Sequence, residues 1–318
     1  MSIFPNIRIT EGIPEVIPRR VSDNIQEVYN FLSDALCEVV DFGSQIFIWD
    51  INPPDKGETN IAPTMLFRYL LDLVDATSAL VKQGSADPSK LLIRTLFEVL
   101  LQLEYLFEKD FHNRSMAYLF TDIINEIKQY KAIDPLSPEG RTAKELFERE
   151  GISKFKHAND LQRLRTTIEK KEKMLASELF KEVFEEHQNL KMKKIKEIKW
   201  YGYFNGPINI RALASHLKME SIYFLLYKRW SGSVHASDIR RGKIVQHGED
   251  SVSILQLRHS KDLQLIASYC ISFSIMAFNS FIEKRIPEKL PELKKWYAGQ
   301  RPNFNIIHLD KLLIEMED

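Results

Sequence analysis

The sequence predicts an all-α fold, a multi-helix bundle with a charged helical insertion and one short β-hairpin. Three observations carry that expectation. Glycine is scarce, 12 residues in 318, roughly 4% against a usual 7%, which leaves little material for tight turns or phosphate-cradling loops. Long stretches repeat apolar residues at spacings of three and four, the period of a helix buried along one face. The strong breaker runs, NPPDKGETN at 52–60 and DPLSPEG at 134–140, fall between those stretches.

The elements follow in order. Residues 1–21 carry three prolines among the first twenty and read as an extended arm. Ser22 is a good N-cap for one long helix ending before Asn52. Helical patterning resumes at Pro63 and runs to Gly84, on Leu66, Tyr69, Leu70, Leu73, Val74 and Leu80. Asp87-Pro88 reads as an N-cap followed by proline at the first helical position. The helix it opens, to about Lys109, is the most apolar of the first half, and another runs from Phe111 to Tyr130. Residues 131–199 hold 17 Lys+Arg and 13 Asp+Glu. They read as two or three surface helices ending in a lysine-rich run at 191–199, either a solvated face or a phosphate-binding one. A helix then spans about 208–230. Alternating apolar residues around Gly248 predict a hairpin. An apolar helix over 261–284 and two short helices close the chain. The innermost helices are expected at 88–109, 210–230 and 261–284. The expected organisation is the arm 1–21, a core part 22–130, the charged insertion 131–207, and 208–318 completing the same core.

Composition excludes several classes. Hydrophobic residues at 44% and charged residues at 28% are those of a globular chain. Lys+Arg and Asp+Glu are 44 each, so the formal net charge is +0; a general basic coat for DNA is not expected, although a local patch would not show in the sum. Cys37 and Cys270 form no close pair, which argues against a disulfide scaffold or cysteine zinc site and fits a reducing cytoplasm. The first twenty residues hold no signal-like apolar run, so export is not expected. Residues 263–282 are twenty positions without a charge, long enough to span a bilayer. Six Gln, Ser and Asn residues interrupt them, and a central helix surrounded by protein is the better reading. No membrane association is expected.

Several chemistries are absent from the pattern. No two glycines are separated by one residue, so neither G-x-G-x-x-G nor a Walker-type loop exists. No histidine has glutamate three positions before it, and there is no H-E-x-x-H or G-x-S-x-G. No cofactor and no metal site are called for.

Two polar clusters stand out. In LLIRTLFEVLLQLEYLF (91–107), Arg94 and Glu98 share a helical face, and Gln102 extends the stripe. Charges on so apolar a helix are costly to bury. They read either as a structural ion pair or as the charged wall of a pocket. In SIYFLLYKRWSGSVHASD (221–238), Tyr227 and Ser231 continue at the same spacing to His235 if the helix persists; Gly232 can instead end it. Arg229 lies six positions before His235. Since Arg94 and Glu98 need polar partners, the two stripes are expected to meet.

These residues carry a resemblance. RTLFE with Tyr227-x3-Ser231-x3-His235 resembles a bacterial helical family of unknown function, over about 62–131 and 208–284, which implies a helical fold and little else about activity. Read from the residues themselves, a pocket would be lined by Arg94, Glu98, Gln102, Tyr227 and Ser231. Arg229-x5-His235 also resembles the Arg-x4–6-His motif of HEPN domains. That resemblance implies metal-independent RNA cleavage in a homodimer, as a toxin or defence effector, with Arg229 and His235 catalytic. A histidine of unperturbed pKa ~6.5 transfers protons near neutrality, and arginine stabilises a phosphorane. The aromatic run Trp200, Tyr201, Tyr203 and Phe204 would hold RNA by stacking or else belong to the core. The competing class is a non-enzymatic ligand-sensing or protein-interaction module.

Overall fold

Ser22 is in extended conformation, φ −60° and ψ 153°, and leads directly into helix α1 (Asp23–Ile51), which stops at Asn52. The structure is a computed structural model describing residues 12–52, 57–151, 161–193, 195, 197–235, 244–247, 251–309, 311, 313 and 314. The side chains of residues 228, 229, 231–235, 245–247, 251 and 252 are also outside the described set. The helices after α1 are α2 (Ile61–Lys82), α3 (Ala86–Glu108), α4 (Phe111–Ile133), α5 (Pro138–Arg149), α6 (Leu161–Leu175) and α7 (Lys181–Met192). They continue with α8 (Ile210–His216), α9 (Glu220–His235), α10 (Leu263–Arg285) and α11 (Leu290–His308). Strands β1 (Ile244–His247) and β2 (Ser251–Ile254) pair antiparallel with Ile244 opposite Ile254. The Gly248 turn lies outside the described residues. The fold is the all-α bundle that the periodicity predicts, with its hairpin.

The chain forms two compact units, one of Met1–Asn52, Leu66–Leu101 and Met219–Asp318, the other of Pro53–Met65 and Gln102–Lys218. The division differs from the one expected at 130/131 and 207/208. Helix α4 groups with the charged span because its apolar stripe is that span's core. Met116, Phe120, Ile123 and Ile127 pack with Ile168, Phe180, Val183 and Tyr203. The two or three surface helices expected there are α5, α6 and α7, amphipathic partners of α4. Ser137 caps α5 by accepting from the Gly140 amide at 2.8 Å, with Pro138 at the first helical position. The Asp134 carboxylate in the preceding loop receives a bidentate Arg165 at 2.9 Å.

In the first unit, α1 and α11 pack on α10. Ile266, Cys270, Ile271, Phe278 and Phe281 have no solvent exposure. Among the described residues α10 is the helix long and apolar enough to cross a membrane, and 56% of that stretch is buried within the protein. Burial pushes the Cys270 thiol up to about 12, so it behaves as a small hydrophobe. Phe67 packs on Phe281 at 4.2 Å, and Phe42 stacks on Trp296 at 4.3 Å between ring centroids. At the end of α10, Arg285 binds Asp50 bidentately at 2.9–3.0 Å with both side chains buried.

Two expectations fail at the predicted helix 210–230. The chain breaks at Lys218, which adopts a left-handed φ of 60°, so α8 and α9 are separate helices. Helix α9 is not buried all round either, because Phe224 and Leu225 are each 53% exposed. The Asp87-Pro88 start is off by two residues, since the helix begins at Ala86, and Asp87 pairs with Lys90 inside the first turn at 3.0 Å.

Candidate functional site

Within the first unit, α3 supplies Arg94 and Glu98, and α9 supplies Tyr227. The contact expected between the two stripes is present. The Tyr227 hydroxyl donates to Glu98 Oε1, and the Arg94 guanidinium carbon lies 3.8 Å from the Tyr227 ring centroid. Tyr223, one turn earlier, stacks on Tyr227 with centroids 4.2 Å apart. The Tyr227 ring is therefore sandwiched between a cation and a second aromatic, which fixes its orientation.

The Arg94–Glu98 pair is looser than its setting predicts. Arg94 Nε is 3.8 Å from Glu98 Oε1, and the side chains are 17% and 37% exposed. The carboxylate faces solvent in part and accepts from the Tyr227 hydroxyl. Burial raises the Tyr227 pKa, and Glu98 raises it further against the opposing influence of Arg94, so the phenol is a neutral donor at physiological pH. Arg94 Nη1 is buried and has no hydrogen-bond partner among the described residues. A buried guanidinium N–H without an acceptor is costly, and an anion would satisfy it.

Helix α9 continues through Gly232 to His235, so the glycine does not end it. Positions 227, 231 and 235 then share one stripe at intervals of four. Position 229 is ~200° around the helix from 227 and ~120° from 235, which separates the two members of the Arg-x5-His pair onto different sides. The side chains of Arg229, Ser231 and His235 lie outside the described residues. Gln102, the third member of the α3 stripe, belongs to the second unit, where its Oε1 accepts from the Trp200 indole at 2.8 Å. Trp200, Tyr201 and Tyr203 are only 3–7% exposed. Of the two readings of the aromatic run, these three residues follow that of core packing.

Residues 60–251 match the model of DUF5677, a family of unknown function. The chain belongs to DUF5677. The match runs from the start of α2 through β1 into β2, and it includes the charged span that the motifs alone left unanchored. Both α3 and α9 lie inside it, so the Arg94–Glu98–Tyr227 cluster is made of DUF5677 residues. No curated protein and no solved structure matches the chain.

Motif reasoning missed a second cluster of this DUF5677 chain, Glu108, Arg114 and His216 in the second unit. His216 Nε2 donates to Glu108 at 2.9 Å, and Arg114 reaches the same carboxylate at 3.1 Å. The three come from α3, α4 and α8 with no fixed spacing, so no pattern joins them.

Proposed function

We propose that this DUF5677 chain is a HEPN-like, metal-independent ribonuclease whose working surface is the stripe Tyr227–Ser231–His235 with Arg94 and Glu98 beside it. The observation that carries this reading is the unbroken α9. It sets position 235 in register with a tyrosine already tied to a glutamate and an arginine. His235 is the proton-transfer group of the proposal. Arg94, with an unsatisfied N–H, meets the phosphodiester. Arg229, on another side of the helix, serves as a backbone contact. In the reaction the 2′-OH oxygen bonds to phosphorus as its proton passes to the base. The P–O5′ bond breaks, and the leaving oxygen takes a proton, giving a 2′,3′-cyclic phosphate and a 5′-hydroxyl. DNA, without the 2′-OH, is spared. Homodimerisation and a defensive or toxic role belong to the same proposal.

The test is purified full chain with matched single-stranded RNA and DNA in chelator. RNA alone is cut to cyclic-phosphate ends, and His235→Ala lowers the rate by about 10²–10⁴ without moving the melting temperature. Absence of cleavage by the wild type overturns the reading. A second reading, a non-enzymatic ligand-sensing module, is favoured by the same unsatisfied Arg94 Nη1. It requires saturable binding of a small anion that Arg94→Ala abolishes, with no RNA turnover.

A further inference from the structure

Asp110, Phe204 and Asn205, three of the five non-glycine residues with positive φ among the described residues, line one cleft in the second unit. Left-handed backbone at non-glycine positions is costly and concentrates at functional sites. The cleft encloses about 460 Å³, within the range of small-molecule sites. Its shape is enforced at Gly206. A Cβ there would stand 2.0 Å from the Tyr201 carbonyl oxygen and 2.5 Å from the Tyr105 hydroxyl, so only glycine lets this strand of chain lie against Tyr105.

The walls differ in chemistry. On one side are Trp200, Tyr203, Phe204 and Pro207. The polar ends of the first two are already used, Trp200 Nε1 on Gln102 at 2.8 Å and Tyr203 Oη on His187 at 2.7 Å. Both rings are largely buried and lend the cleft little surface; the half-buried Phe204 and Pro207 present its more open apolar wall. At the other side stand Lys109, Asp110, Arg114 and His216. Behind them Glu108 anchors His216 through Nε2 and Arg114 through both terminal nitrogens. Arg114 also donates to the Tyr105 carbonyl, and its guanidinium carbon is 3.5 Å from the Tyr105 ring centroid. Both groups are thereby preorganised. With Nε2–H committed to Glu108, the other ring nitrogen of His216, Nδ1, is the one left for a ligand. The Glu108 carboxylate is engaged by Arg114 and His216, and the rim beyond it carries Lys109 and the His216 ring, with Asp110 alongside, to meet a phosphate and its neighbouring hydroxyls.

We propose that this cleft is a binding site for a nucleoside monophosphate, its base against the aromatic wall and its phosphate toward Lys109 and His216. The site is independent of the ribonuclease reading, since all its residues are in the second unit.

Isothermal titration of the full chain with AMP, GMP, CMP and UMP, the matching nucleosides, and inorganic phosphate tests it. At least one monophosphate is expected to bind saturably, with nucleoside and phosphate alone weaker by roughly tenfold or more. His216→Ala should weaken that monophosphate by a similar factor. Ala212→Leu, which fills the cleft from α8, should abolish binding while circular dichroism and melting temperature stay near wild type. Arg94→Ala should leave binding unchanged, which separates this site from the one on α3 and α9. No saturable binding by any of the four nucleotides overturns the proposal, as does binding that survives both His216→Ala and Ala212→Leu in folded protein.

Discussion

Arg94 lies over the face of Tyr227, its guanidinium carbon 3.8 Å from the ring centroid, while the hydroxyl of that ring donates to Glu98. One tyrosine therefore serves both charges of a pair whose own separation is 3.8 Å. The ring and the hydroxyl are separable by substitution. Tyr227→Phe removes the hydrogen bond to a partly exposed carboxylate and keeps the cation–π contact, so urea denaturation should show a loss of about 0.5–1.5 kcal/mol. Tyr227→Ala removes the ring as well and should cost about 3–5 kcal/mol. Equal losses from the two variants would mean that the ring contact contributes nothing.

That contact was legible in the sequence because Arg94 and Glu98 are polar groups on an apolar helix and must find partners somewhere. Helix α1, Asp23–Ile51, was legible from its period and from the prolines that follow Asn52, with Ser22 at the N-cap position. The break at Lys218 was not. It rests on one left-handed residue in a stretch with neither glycine nor proline, and the apolar period runs on across it. Gly232 misleads in the opposite sense, since helix α9 continues through it. The Glu108–Arg114–His216 cluster was illegible because its members come from three elements. Only the folded second unit brings them to one carboxylate.

Gly43 tests close packing on α1. In an ordinary helix Gly→Ala stabilises by ~1 kcal/mol. Here an added Cβ would sit 2.3 Å from Leu71 Cδ2 and 2.8 Å from Phe278 Cζ. Leu71 can swing away, but Phe278 is fully buried. Gly43→Ala is therefore expected to destabilise, by roughly 1–2 kcal/mol after the propensity gain is set against the overpacking. A rise in the melting temperature would show that the core yields there.

Asp50 and Arg285 are 1% and 5% exposed in their side chains and meet bidentately. Breaking such a pair from one side leaves a buried charge, so Asp50→Ala should cost about 3–5 kcal/mol. The double variant Asp50→Leu with Arg285→Met removes both charges and should recover most of that loss. Chemical denaturation of the three proteins and the wild type gives the coupling directly.

Acid sensitivity should be traceable to His187. Burial lowers its pKa to about 4, helped by the charges of Lys191 and Lys128, while its Nδ1 sits 2.7 Å from the Tyr203 hydroxyl. The folded state thus holds the ring neutral where the unfolded chain protonates it near 6.5. Between those values the unfolded state binds more protons. The stability from a neutral His187 is complete above pH 6.5 and is lost as pH falls toward 4, on the order of 3 kcal/mol in all. Asp134 acts lower. Arg165 holds its carboxyl down to about 2, so its contribution persists above the unfolded carboxylate range and disappears as pH falls through 2. Urea midpoints at intervals from pH 7 to 4 should fall less steeply in His187→Gln than in the wild type, after allowance for the fixed cost of the substitution. Parallel profiles would place the acid sensitivity elsewhere and show that His187 is protonated in the fold without penalty.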